Sequence, residues 1–383
     1  MSSNVRQRIL VLFGTRPEVI KLAPVIQELH RRPGQFECQI CATGQHREMV
    51  DRALSDFCLK VDVQFDAMAS AQSLGQLTSR LFLDLDRLIE FERPDWLVIQ
   101  GDTTSAMVGA MCAFYRGIRI GHVEAGLRTH NRHAPFPEEI NRTVIGDVAD
   151  LHFAPTRRSA ENLISAGVAP DAIHITGNTV VDALRWVRQE LHGRVPEEID
   201  PALVASLHGA RMVLVTSHRR ESFGANLENI CRALIEIVQR YPDTAIVYPV
   251  HLNPNVHDTA HRMLAGHPRI KLLNPVGYLA LVWLLQRSYC ILTDSGGIQE
   301  EAPSFRKPVL VLRDTTERPE AVEAGCARLV GTNPANILDA VSELVEDPSS
   351  YDAMACSSNP FGDGFAAGRI VDVLLSARDV SPR

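Results

Sequence analysis

The sequence predicts a doubly wound α/β protein of two domains, and three observations lead there. The chain has 383 residues, more than one hydrophobic core ordinarily supports. Short apolar runs alternate with amphipathic stretches of helical period almost throughout, the order that builds parallel sheets covered by helices. The apolar runs are also nearly unbroken, which suits strands buried on both faces.

Taken in order, strands are expected at Ile9–Phe13, Phe36–Ala42, Trp96–Gln100, Ile118–Val123, Leu151–Ala154, Met212–Thr216, Ala245–Val250, Cys290–Thr293 and Val309–Leu312. Helices are expected between them, including Val19–Arg31, Leu74–Phe91, Thr104–Tyr115, Asn226–Tyr241 and Leu279–Arg287. Asn178–Leu207 is helical and polar around the breaker-containing stretch Val195–Pro201, and a new β-α-β series starts at Met212. The domain boundary is therefore placed near Gly177, giving a first domain over 1–177 and a second over 178–364. After the turn-rich Asn359–Gly364, a last helix, Phe365–Ala377 within 365–383, is expected to return to the first domain.

Composition narrows the function. Apolar residues make up 45% and charged residues 22%, ordinary for a water-soluble chain with two cores. A formal net charge of -7 argues against general nucleic-acid binding, while leaving room for a locally positive pocket. No apolar run approaches a membrane span, and the polar start Met1–Arg8 carries no secretory signal pattern. The eight cysteines are scattered in apolar segments, which points to reduced thiols in a cytoplasm.

In open α/β sheets ligands gather at the carboxyl ends of strands. Gly14-Thr15-Arg16-Pro17-Glu18 follows the first strand, with Pro17 suited to a first helical turn and Arg16 and Lys21 near a helix start that favours anions. An ordinary loop with surface charges is the competing reading. Gly101-Asp102-Thr103-Thr104-Ser105 follows another strand, where Asp102 is either functional or a helix cap. Glu124, in His122–Thr129, ends a third strand, and Pro135-Phe136-Pro137-Glu138-Glu139 opens a helix. One such carboxylate is easily structural; three at one expected sheet edge are harder to explain that way.

The second half places Ser217-His218-Arg219-Arg220 at a strand end. Asp294-Ser295-Gly296-Gly297 then supplies a hydroxyl and unobstructed backbone N–H groups at a helix start, a cradle for a diphosphate. Glu301 follows about one turn later, placed to accept both hydroxyls of a ribose, with a surface carboxylate as the alternative. Other patterns carry less. The protease-like Asp294–Gly297 lies outside an all-β context, and Gly362-Asp363-Gly364 with Gly368 follows no strand. Cys38 and Cys41 fall on opposite faces of a strand, and His257 with His261 lacks the glutamate of a zinc helix. No metal and no cofactor are expected.

A phosphate cradle, a ribose-type glutamate and cations imply a nucleoside diphosphate, and the carboxylates imply acid–base work on what it carries; suppose that cargo is a sugar whose C2 is to be inverted. Inverting C2 of such a sugar needs no cofactor if the diphosphate leaves C1 as a base removes the C2 proton. The diphosphate then adds back after reprotonation on the other face. Closing an interdomain cleft would hold the intermediate away from water.

These segments resemble the non-hydrolysing UDP-N-acetylglucosamine 2-epimerases. The likeness runs through Gly14–Glu18 with Lys21, Gly44–Glu48, Gly101–Ser105, His122–Thr129 and Pro137–Glu139 with Asn141 and Arg142. It continues through Gly177–Thr179, Ser217–Gly224, Pro249–Pro254, Thr293–Pro303 and Arg313–Glu320. The resemblance implies two Rossmann-like domains of glycosyltransferase-B type, a homodimer, and reversible conversion of UDP-GlcNAc to UDP-ManNAc. It implies Asp102, Glu124 and Glu138 as acid–base carboxylates, with His218 assisting at the diphosphate. Arg16, Lys21, Ser295, Gly296, Gly297, Glu301 and Arg318 are implied to hold the UDP moiety. Val276 and Leu281 stand in the uracil region where relatives often carry Gln and Phe. Gln45, Arg47, Arg219 and His251 suit a second, activating UDP-GlcNAc, although Ala71 replaces an arginine of some relatives. A hydrolysing 2-epimerase, a glycosyltransferase of the same fold and a UDP-sugar sensor are the rivals.

Overall fold

Strand β1 (Gln7–Phe13) buries every residue but Arg8, as a strand covered by helices on both faces must. The structure is a computed structural model, and it describes residues 6–44, 47–68, 72–133, 135–355 and 358–377. After β1 the chain continues through α1 (Arg16–His30), β2 (Phe36–Ala42), α2 (Arg47–Asp56), β3 (Val63–Gln64), α3 (Leu74–Glu92), β4 (Trp96–Gln100) and α4 (Thr104–Tyr115). It proceeds to β5 (Arg119–Val123), α5 (Glu138–Val148), β6 (Leu151–Ala154), α6 (Arg157–Ser165), β7 (Ile173–Ile175) and α7 (Thr179–Leu191). These strands form one parallel sheet in the order β3-β2-β1-β4-β5-β6-β7. The order reverses between β1 and β4, so the loops leaving those two strands diverge and open a crevice.

The second series runs α8 (Pro201–Ser206), β8 (Arg211–Thr216), α9 (Ala225–Arg240), β9 (Thr244–Pro249), α10 (Pro254–Leu264), β10 (Ile270–Leu273) and α11 (Tyr278–Arg287). It closes with β11 (Cys290–Thr293), α12 (Gly296–Glu301), β12 (Val309–Val311), α13 (Pro319–Glu323), β13 (Ala327–Leu329), α14 (Pro334–Glu346), α15 (Pro348–Met354) and α16 (Ala366–Ser376). Its sheet, also parallel, is ordered β10-β9-β8-β11-β12-β13, with the reversal between β8 and β11.

The chain forms two compact units, Met1–Trp186 with Phe361–Arg383, and Val187–Pro360. The division falls inside α7; the sequence puts the boundary near Gly177, just before that helix. Helix α16 belongs to the first unit. Asp182 on α7 accepts hydrogen bonds from the Ala366 and Ala367 amides at 3.1 and 2.9 Å, and Ile370, Val371 and Leu374 join the core that contains Val19, Leu22 and Val25. Burial lifts the Asp182 carboxyl to about 6.

Among the described residues no helix is long and apolar enough to cross a membrane. Six described cysteines, Cys38 and Cys41 among them, carry free thiols. Cys326 is disulfide-bonded, which corrects the expectation of reduced thiols throughout.

Candidate active site

The carboxylates of the first unit hang on a short-contact framework at the β1 and β4 exits. Gly14 ends β1 where a Cβ would stand 2.5 Å from the Ser105 hydroxyl and 2.6 Å from that of Thr43, so only glycine fits. Behind it Glu18 is 1% exposed. Its Oε2 accepts from the Gly14 amide (3.0 Å), the Thr15 amide (2.8 Å) and the Thr15 hydroxyl (2.8 Å), and its Oε1 from the Thr103 hydroxyl (2.8 Å). One buried side chain thus ties the loop carrying Arg16 to the turn carrying Asp102. Burial outweighs these bonds and raises the Glu18 carboxyl to about 7.

Asp102 lies half-buried just past β4. Its Oδ2 receives Arg142 Nε at 2.7 Å and Nη2 at 2.6 Å, while Asn141 donates to its carbonyl at 2.8 Å. Arg142 also reaches Glu139 at 3.0 Å, and Glu139 accepts the Thr129 and His130 amides at 3.1 and 3.0 Å. The turn is fixed from the other side by His122, whose Nε2 donates to the Gly101 carbonyl at 2.7 Å. Burial, with His152 beside it, drives the His122 imidazole down to about 3, so it is a neutral strut.

Glu124 ends β5 with a φ of 61°, a left-handed conformation that a non-glycine residue holds only when its surroundings impose it. Lys21 Nζ sits 2.7 and 2.6 Å from its two oxygens, and Gln100, the last residue of β4, donates to Oε2. Glu138 opens α5, and its Oε2 is buried with no hydrogen-bond partner among the described residues. Such an atom is costly to leave unmade, so Glu138 points to a polar ligand. Arg16 is the half-buried first residue of α1.

The second unit gathers its expected residues around the β8 and β11 exits. Ser295 caps α12, followed by Gly296 and Gly297. A Cβ on Gly296 would lie 3.8 Å from Arg219 Nη2, 3.9 Å from Arg318 Cζ and 3.9 Å from Glu317 Oε2, so two guanidiniums flank these amides. Arg318 is held by Glu300, with Thr316 accepting its amide at 3.0 Å. Burial opposes ionisation of Glu317, yet Arg313, Arg219 and Arg318 bring its carboxyl down to about 2. Glu301 is buried at the end of α12, and the Tyr278 hydroxyl donates to its Oε1 at 3.4 Å. Val276 and Leu281 bracket the start of α11, both half-buried. His218 and His251 stack with centroids 5.9 Å apart.

The structure therefore groups Arg16, Lys21, Asp102, Glu124 and Glu138 in one unit and His218, Arg219, His251, Ser295, Gly296, Gly297, Glu301 and Arg318 in the other. Gln45 and Ala71 lie outside the described residues, as does the side chain of Arg47. Sequence reading named Gln100 and Arg142 only within runs or motifs, and did not name Tyr278. The signals were present: Gln100 is the polar end of an apolar strand, and Arg142 sits one turn beyond Glu138 on α5.

The family model described as UDP-N-acetylglucosamine 2-epimerase matches residues 27–375. The UDP-N-acetylglucosamine 2-epimerase of Escherichia coli K12 is 47% identical, over 97% of this chain and 99% of its own. A probable UDP-N-acetylglucosamine 2-epimerase of Ralstonia solanacearum is 49% identical, over 95% and 97%. The crystal structure of the Neisseria meningitidis UDP-GlcNAc 2-epimerase bound to UDP-GlcNAc superposes with a TM-score of 0.91 at 43% identity, covering 97% of this chain and all (100%) of that one. The two parallel-stranded units are those of the expected glycosyltransferase-B-like fold. The chain belongs to the UDP-N-acetylglucosamine 2-epimerase family.

Proposed function

We propose that this chain interconverts UDP-GlcNAc and UDP-ManNAc by elimination and re-addition of UDP, without releasing free sugar. A carboxylate removes the C2 proton as the C1–O bond breaks and its electrons leave with UDP, giving the 2-acetamidoglucal. A second carboxylic acid returns a proton to C2 from the opposite face, and UDP rebonds to C1. The observation that carries this reading is the trio Asp102, Glu124 and Glu138, three carboxyl groups in three different settings within one unit: held by Arg142, held by Lys21 and Gln100, and left with a buried oxygen that has no hydrogen-bond partner among the described residues. Different settings are what acid and base roles require.

Ser295, Gly296, Gly297, Arg318 and Arg16 are assigned to the diphosphate, Glu301 to the ribose, and Val276 and Leu281 to the border of the uracil. Arg219 and His251 remain assigned to an activating second nucleotide, and a homodimer is the proposed assembly. Proton NMR of the purified protein with UDP-GlcNAc in deuterated water tests the reading. Deuterium at C2 with UDP-ManNAc building to a fixed ratio supports it; free ManNAc with UDP selects the hydrolysing reaction instead.

A further inference from the structure

Asp294 is a fully buried carboxylate, 0% exposed, at the end of β11. The reaction proposed above gives it no task. Five donor groups converge on it from the loop that follows the neighbouring strand β8. Oδ2 accepts from the Ser217 hydroxyl at 2.9 Å, the Ser222 hydroxyl at 2.8 Å, the Arg219 amide at 3.0 Å and the His218 amide at 3.0 Å. Oδ1 faces the His218 amide at 3.1 Å and its ring Nδ1 at 3.4 Å. One oxygen is saturated by the loop, and the other is turned toward the imidazole. The His218 side chain is 40% exposed, its ring stacked on His251 and its Nδ1 beside a buried anion.

We propose that Asp294 is a positioning residue that acts through His218, holding the imidazole with its proton on Nδ1 so that Nε2 faces the ligand side. The proposal rests on the functional reading above, in which His218 serves the diphosphate. A carboxylate behind an imidazole fixes tautomer and orientation and stabilises the imidazolium when it forms. Here the same residue leads directly into Ser295 and the amides of Gly296 and Gly297. The diphosphate cradle and the His218 loop therefore share one side chain.

Asp294→Asn keeps the shape but cannot take an Nδ1 proton and the loop donors in the same way. Its turnover, read as deuterium entry at C2, should fall at least about tenfold, with UDP affinity by calorimetry changed far less. His218→Ala should lose turnover as well, and Asp294→Asn placed on His218→Ala should cost little more. Full turnover in Asp294→Asn, or an equal further loss on the His218→Ala background, overturns the proposal. Normal turnover in His218→Ala removes both this proposal and the role of His218 it rests on. Loss in His218→Ala with none in Asp294→Asn removes the proposal alone. Should Asp294→Asn not fold, nitrogen NMR of the wild-type imidazole decides: Nδ1–H is expected, and a dominant Nε2–H tautomer overturns the assignment.

Discussion

In the first unit the loops leaving β4 and β5 present carboxylates steadied by cations of that unit, Asp102 by Arg142 and Glu124 by Lys21. In the second the polarity is reversed: His218 and its neighbours rest on Asp294, and Arg318 on Glu300. Both sheets share one plan, so the sign of each site is set by which member of a pair is turned outward. Asp102 is 24% exposed against 11% for Arg142, and His218 40% against 0% for Asp294. The Lys21–Glu124 pair departs from this, with the lysine more exposed, 12% against 4%, which suits the assignment of Lys21 itself to the substrate.

The comparison breaks first if the carboxylates of the first unit are dispensable. Asp102→Asn or Glu124→Gln should lower turnover at least about 10²-fold while UDP binding persists; steady-state rates beside calorimetry read both. At the residue assigned to the ribose in the second unit the effect should fall on binding. Glu301→Ala is expected to weaken UDP by about 10- to 100-fold, the scale of a hydrogen bond to a charged group, and unchanged affinity would refute the ribose assignment.

Glu18 gives a pH signature to the first unit. Its folded carboxyl lies at about 7 against an ordinary 4.5, so the folded chain holds this proton more tightly than the unfolded one. Its stabilising contribution is complete below the ordinary value and is lost as pH rises through about 7. Unfolding measured from pH 5 to 8 should show the wild type losing roughly 2 kcal/mol relative to Glu18→Gln across that range. The smallest effect belongs to the exposed Arg328–Glu343 pair, where Arg328→Ala should change stability by under about 1 kcal/mol and leave turnover alone.

The strands that the sequence reading found and those it missed separate by position. Interior strands such as β4, buried throughout, announce themselves as apolar runs, and Trp96–Gln100 is read to its ends. The strands passed over, β3, β7, β10 and β13, are the four sheet edges. They are two to four residues long and only partly buried, so no apolar run marks them. The site divides in a similar way. Asp102, Glu124 and Ser295 are legible because each follows an apolar strand. That Arg142 belongs to Asp102, or Asp294 to His218, depends on pairs 40 and 76 residues apart, which only the packed sheets bring together.

Helix α16 completes the core of a unit whose other elements all precede α8. During synthesis the sheet β1 to β7 is made long before its last helix, and the whole second unit is threaded out in between. Until Ile370, Val371 and Leu374 arrive, the apolar flank around Val19, Leu22 and Ile9 has no cover. The first unit to be translated is thus the last to be finished, and a chain stopped short of residue 366 would carry its intended binding face beside an open, adhesive one.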